Sequence, residues 1–369
     1  MRARTLSSPP RWHGSAADKN RALSRPGGHL VLAMPFFLAV VLLALPIFGQ
    51  STLATAAVAS TRAVASTAAV AEGPHWLRPG DEIYLVSTRR SPFRHGCGPV
   101  RLDVYRFAAS CQWQPAKVES LVAAASESGR TVFWVHGNRV DRYWAKRRGL
   151  EMYRALVRHD QVGVPVRLVI WSWPTEQTGG PVQDVRTKAA RADSHGYQLA
   201  WLMDQIDPQA PVSLIGFSFG CRVITAALHL LDGGRLGPMV LPAGDGDAGR
   251  PRRGMHAVLM AAGMHHHWLL PGHYHGRALG QLDHLLLLNN SCDRVLRLYR
   301  FISRCSNPAA LGYVGLPQSA SLHRYATEIE QRDACCLAGT DHTAQVYIFQ
   351  PHLMDWAWQA LVQPEPVRE

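Results

Sequence analysis

The chain has 369 residues, of which 47% are hydrophobic and 18% charged, so it can bury a large core and does not have the composition of a disordered polymer. Its formal charge of +12 invites a nucleic-acid partner, but residues 1–72 hold seven Lys/Arg against two acids, and the rest of the excess is spread thinly. With no dense basic stretch interleaved with aromatics, nucleic-acid binding is not expected, and one α/β domain behind an N-terminal appendage suits the length.

Residues 1–29 form a basic N-terminal region, with Arg2, Arg4, Arg11, Lys19, Arg21 and Arg25 ahead of an uncharged apolar run over 30–49. That run is long enough to cross a bilayer as a helix, and the preceding positive charges should stay on the cytoplasmic side. An extracytoplasmic location follows, either secreted after cleavage near Ala54-Thr55-Ala56 or anchored to the membrane by 30–49 if uncleaved. Residues 50–74 read as a linker: 50–72 contain nine Ala and seven Ser/Thr, and Ala57-Val58-Ala59-Ser60-Thr61 recurs as Ala63-Val64-Ala65-Ser66-Thr67.

From residue 75 to 369, short apolar runs alternate with longer amphipathic stretches, the pattern of a largely parallel sheet flanked by helices. Eight strands are expected at 82–87, 102–107, 131–135, 166–171, 212–216, 257–262, 284–289 and 334–338. Helices are expected near 141–158, 183–206, 219–231, 293–303 and 342–361, with the first two strands antiparallel and the remainder parallel. The stretch 233–253, rich in Gly, Pro and Asp, reads as a surface loop. Seven cysteines fit an exported protein with one or two disulfides. Cys97 and Cys111 are the preferred pair, and Cys221 reads as a packing residue.

The chemistry gathers at Gly216-Phe217-Ser218-Phe219-Gly220, placed between an apolar strand and a helix. A sharp strand-to-helix turn leaves no room for side chains at Gly216 and Gly220, and it lifts the serine hydroxyl to a helix N-terminus. A serine hydroxyl attacks only when a base removes its proton and a carboxylate orients that base. Where this turn is used, acid and base follow in that order on loops after later strands. Asp293, after 284–289, is the candidate acid, and His342, in Gly339-Thr340-Asp341-His342 after the expected last strand, the candidate base. The oxyanion would be met by the backbone N–H groups of Phe219 and Asn138, with Gly137 permitting the turn that aims the second. His136 is expected to be structural.

Phe133-Trp134-Val135-His136-Gly137-Asn138, then Arg147-Arg148-Gly149, then Val169-Ile170-Trp171-Ser172-Trp173-Pro174 and the serine turn together resemble the α/β-hydrolases of the esterase/lipase superfamily. The similarity is to an uncharacterised group with a Ser-Trp-Pro signature and spans most of residues 80–360. Phe217 and Phe219 stand where many of its members carry histidine and arginine. The resemblance implies the fold and a Ser218-Asp293-His342 triad but no substrate; the chemistry of the triad leads us to expect a small-molecule or lipid ester as substrate and no cofactor. The histidine-rich run His265-His266-His267, with His273 and His275, lacks a carboxylate or thiol at ligand spacing, so no metal is expected and the run reads as a polar loop at the site entrance.

Overall fold

The computed structural model describes residues 74–362 except 75, 92–99, 128, 162, 178–179, 243–253 and 302–306. The apolar run 30–49, the linker repeat, Cys97, Cys305 and most of the Gly/Pro-rich loop therefore lie outside the described residues. Among the described residues, no helix is long and apolar enough to cross a membrane.

A nine-stranded sheet organises residues 82–333. Its strands are β1 (Glu82–Ser87), β2 (Asp103–Phe107), β3 (Trp113–Ala116), β4 (Arg130–Val135), β5 (Val166–Ser172), β6 (Val212–Phe217), β7 (His256–Met260), β8 (His284–Asn289) and β9 (Glu328–Asp333), in the spatial order β3-β2-β1-β5-β4-β6-β7-β8-β9. Only the β1–β2 and β2–β3 pairings are antiparallel. From β1 to β9 every neighbouring pair is parallel, in registers such as Val135↔Trp171 and Val135↔Gly216. Strands β4 to β8 read as near-continuous apolar runs because helices cover both faces of the sheet.

The helices are α1 (Val118–Ala125), α2 (Arg142–Val157), α3 (Pro181–Asp204), α4 (Phe219–Leu231), α5 (Arg294–Arg297), α6 (Leu311–Val314), α7 (Cys335–Ala338), α8 (Ala344–Ile348) and α9 (Pro351–Val362). The crossover β4-α2-β5 steps one way along the sheet, and β5-α3-β6 steps back past β4. Right-handed crossovers in opposite directions put α2 and α3 on opposite faces. The strand order thus reverses at the neighbours β4 and β6, and the carboxyl ends of strands flanking such a reversal leave a crevice for chemistry.

Five sequence expectations need correction. The sheet has nine strands because Trp113–Ala116 pairs with β2, a pairing that a four-residue run with a proline does not announce. The last strand is not 334–338 but the polar Glu328–Asp333, which pairs with β8 at the sheet edge, where only one neighbour and little burial are required. The apolar 335–338 instead forms α7, so His342 follows a helical turn and not a strand. The stretch 342–361 is broken into α8 and α9 at Pro351, and of the expected helix 293–303 the described residues hold one α-turn, Arg294–Arg297, followed by a 3-10 turn, Tyr299–Phe301. The preferred disulfide is also wrong for Cys111, which is a free exposed thiol; Cys292 pairs with Cys335.

Candidate active site

Ser218 occupies the one-residue turn between β6 and α4, at φ 53 and ψ −118. A side-chain-bearing residue reaches that conformation only when its surroundings enforce it. Two backbone bonds do so here: Ser218 N–H donates to Met260 O at 3.0 Å, and Gly263 N–H donates to Ser218 O at 3.0 Å. The flanking glycines are required by space. A Cβ on Gly220 would lie 2.1 Å from Val135 O, and one on Gly216 would lie 2.7 Å from the Ile224 side chain and 3.0 Å from the Cys221 backbone nitrogen. The serine is 7% exposed. Cys221, one turn into α4, is buried and packs with its thiol 3.4 Å from Met260 O.

Asp293 and His342 reach this hydroxyl from the other end of the chain. The loop after β8 brings a wholly buried Asp293 to the start of α5, where Oδ1 accepts from Val295 N and Leu296 N, each at 2.9 Å. One carboxylate oxygen therefore caps the helix, and the other is free to orient a base. That second oxygen, Oδ2, lies 2.6 Å from His342 Nδ1, and His342 Nε2 lies 2.8 Å from Ser218 Oγ. The imidazole sits over Phe217, with ring centroids 5.0 Å apart, and Phe217 in turn packs on Tyr347 of α8. A carboxylate on Nδ1 favours the tautomer with the proton there, leaving Nε2 a lone pair aimed at the serine.

The loop after β4 closes the opposite side. A Cβ added to Gly137 would lie 3.1 Å from Ser218 Cβ and 3.0 Å from the Phe217 ring, so the loop backbone runs against Ser218. The loop is held by the segment after β5: Trp173 Nε1 donates to His136 O at 2.8 Å, Arg139 N–H donates to Thr175 O at 2.9 Å, and Val140 N–H donates to Thr175 Oγ1 at 3.1 Å. Arg139 and Val140 have thus spent their N–H groups, whereas those of Asn138 and Phe219 meet no acceptor among the described residues. The Asn138 side chain donates to Asp184, whose other oxygen holds the fully buried Lys188 at 2.9 Å. His136 is buried against Trp173, and burial pushes its imidazole down to about 3, so it is neutral at ordinary pH.

Sequence reasoning missed a second polar cluster beside this site. Arg222, on the first turns of α4, forms a two-pronged pair with Asp193 of α3, both bonds 3.0 Å, while Tyr274 donates to Asp193 at 2.9 Å. Burial alone would raise the Asp193 carboxyl, but Arg222 holds it well below the usual carboxylate range. The Arg222 guanidinium also covers the Trp268 ring at 4.6 Å, and His275 Nδ1 lies 2.8 Å from Thr225 Oγ1. These contacts fasten the histidine-rich loop to α3 and α4, and His265 stacks on Trp268 at 4.5 Å. An i,i+4 spacing from Ser218 to Arg222 was the only sequence signal. A separate surface cavity of about 250 Å³, lined by Arg154, Arg158, Phe349 and Met354 among others, includes none of Ser218, Asp293 and His342.

Comparison with known proteins adds little to this geometry. No family model matches the chain, and no curated protein matches it. Among solved structures, an uncharacterised protein from Bacillus cereus ATCC 10987 is similar at 11% identity and a TM-score of 0.27, covering 64% of this chain and 60% of its own. Esterase Est22 is similar at 11% identity and a TM-score of 0.32, covering 76% of this chain and 78% of its own. The chain thus spans 60% of the length of the first of these two structures.

Proposed function

We propose that the chain is a serine hydrolase that cleaves carboxylic ester, thioester or amide bonds through an acyl-enzyme on Ser218. The observation that carries this reading is the continuous relay from Ser218 Oγ to His342 Nε2 at 2.8 Å and from His342 Nδ1 to Asp293 Oδ2 at 2.6 Å. His342 takes the hydroxyl proton as Oγ attacks the acyl carbon, and Asp293 stabilises the imidazolium that forms. The carbonyl oxygen gains negative charge and is met by the unspent N–H groups of Phe219 and Asn138, the first at the N-terminus of α4. His342 then gives the proton to the leaving group, and water repeats the sequence to release the acid. Among these, a small-molecule or lipid ester is the substrate class proposed.

The Cys292–Cys335 bridge supports an oxidising compartment, in keeping with export directed by residues 30–49. A fluorophosphonate probe tests the reaction. Wild type should be labelled covalently on Ser218, Ser218→Ala should not be labelled, and His342→Ala should be labelled much more slowly. A folded wild-type protein that ignores the probe would reduce the chain to a binding protein with a hydrolase-like sheet.

A further inference from the structure

His342 lies on an irregular connection: residues 341–343 belong to no helix or strand, between α7 and α8. The ring can be placed only by whatever fixes those two flanking turns. On the α8 side, Tyr347 is buried against Phe217. On the α7 side there is little packing, since the helix is a single turn in which only Ala338 is buried. A lone turn of that length has no stability of its own.

What holds α7 is the loop that carries the acid. Cys292, next to Asp293, is disulfide-bonded to Cys335, the first residue of α7. Around that bridge Ser291 donates through both N and Oγ to the Asp333 carboxylate, and Asn290 Nδ2 donates to Gly339 O. Ala334 N–H donates to Asn289 O, and Arg294 N–H donates to Thr340 O. Residues 43 apart in sequence are thereby joined into one unit that presents a carboxylate on one side and an imidazole on the other.

We infer that the Cys292–Cys335 disulfide is a positioning element for the relay, tying the Asp293 loop to α7 so that His342 meets both Asp293 and Ser218. This rests on the serine-hydrolase reading above. None of the hydrogen bonds around the bridge reaches Ser218 or the loop bearing Asn138, so its loss should slow the chemical step and leave substrate binding nearly unchanged. A displacement of about 1 Å in such a relay costs about a hundredfold in rate, and partial loosening costs about tenfold.

The test uses the full chain carrying Cys336→Ser, which removes the exposed thiol beside the bridge. Peptide mass spectrometry establishes the link in the oxidised protein. Dithiothreitol then supplies two electrons and two protons, leaving two thiols and its own cyclic disulfide, and a Cys292→Ser/Cys335→Ser variant of the same chain provides the unbridged form independently. On opening the bridge, kcat for a short-chain ester and the fluorophosphonate labelling rate should both fall about tenfold or more, with KM within about twofold and near-ultraviolet dichroism preserved. Reoxidation should restore the rate of the reduced protein, while the double-serine variant stays slow in either state. Equal labelling of bridged and unbridged forms would overturn the inference. So would activity lost together with the dichroism and not regained on reoxidation, or active protein in which Cys292 and Cys335 are unlinked. An oxidised protein that the probe never labels would instead remove the hydrolase reading, and this inference with it.

Discussion

Replacing Asp293 by Asn separates the two duties of that carboxylate. Oδ1 caps α5 by accepting from two N–H groups at 2.9 Å, and an asparagine carbonyl can keep doing so. Oδ2 accepts from His342 Nδ1 at 2.6 Å, and an amide NH2 there can only donate. The imidazole must then carry its proton on Nε2, which faces Ser218 Oγ at 2.8 Å and can no longer accept from it. The wrong tautomer is expected to lower kcat by about 10⁴, equivalent to about 5.5 kcal/mol, while stability falls by only about 1 kcal/mol. Asp293→Ala should be comparably inactive and also lose the cap and leave the imidazole N–H buried without a partner, a cost of about 3 kcal/mol. Steady-state ester hydrolysis and thermal unfolding of the two variants measure both quantities. An Asn variant within tenfold of wild-type kcat, or an Ala variant as stable as the Asn variant, would refute the reasoning.

Gly220→Ala should destabilise the fold by about 3 kcal/mol or more, since its Cβ would lie 2.1 Å from the Val135 carbonyl oxygen; an unchanged denaturant midpoint would show that the β6–α4 turn is not this tight. Arg222→Met should cost about 3–5 kcal/mol by stranding a buried carboxylate, and Arg222→Met/Asp193→Leu should recover most of it. Chemical denaturation of the single and double variants decides the point, and equal losses in the two would argue against the pairing. Thr175→Val removes the hydroxyl that accepts from Val140 N–H, so kcat should fall about tenfold with little change in KM if the oxyanion loop depends on it. Acid should destabilise the protein before its carboxylates titrate. Burial lowers His136 to about 3 and His195 to about 4, so the folded protein resists protons that the unfolded chain accepts near 6.5. Their stabilisation is therefore complete above about pH 6.5 and declines as pH falls towards 4, by about 2 kcal/mol each at pH 5. Unfolding free energies equal at pH 7.5 and pH 5 would contradict this.

Much of the sheet was legible because buried parallel strands are apolar on both faces and stand out as short runs: β1 and β8 have the bounds expected, and β4, β5, β6 and β7 differ by two residues or fewer at either end. The two strands that escaped notice, β3 and β9, lie at the edges. An edge strand needs one hydrogen-bonding partner and little burial, so Glu-Ile-Glu-Gln-Arg-Asp serves, while the more apolar 334–338 next to it has the look of a strand and forms a helical turn instead. The Cys292–Cys335 bridge was equally hidden, because cysteine spacing along the chain carries no information about which loops a nine-stranded sheet brings side by side.

Local sequence alone determined the serine turn, since a glycine is demanded wherever backbone meets backbone, and Gly216 and Gly220 flank Ser218 for that reason. Only the tertiary structure decided that Asp293 divides its oxygens between a helix cap and His342, and that Trp173 and Thr175 hold the loop bearing Asn138. It alone decided, too, that Arg222 and Asp193 anchor the histidine-rich loop. Each of these depends on which side chains face one another across helices, strands and loops distant in sequence, a relation set by sheet order and packing and by no spacing along the chain.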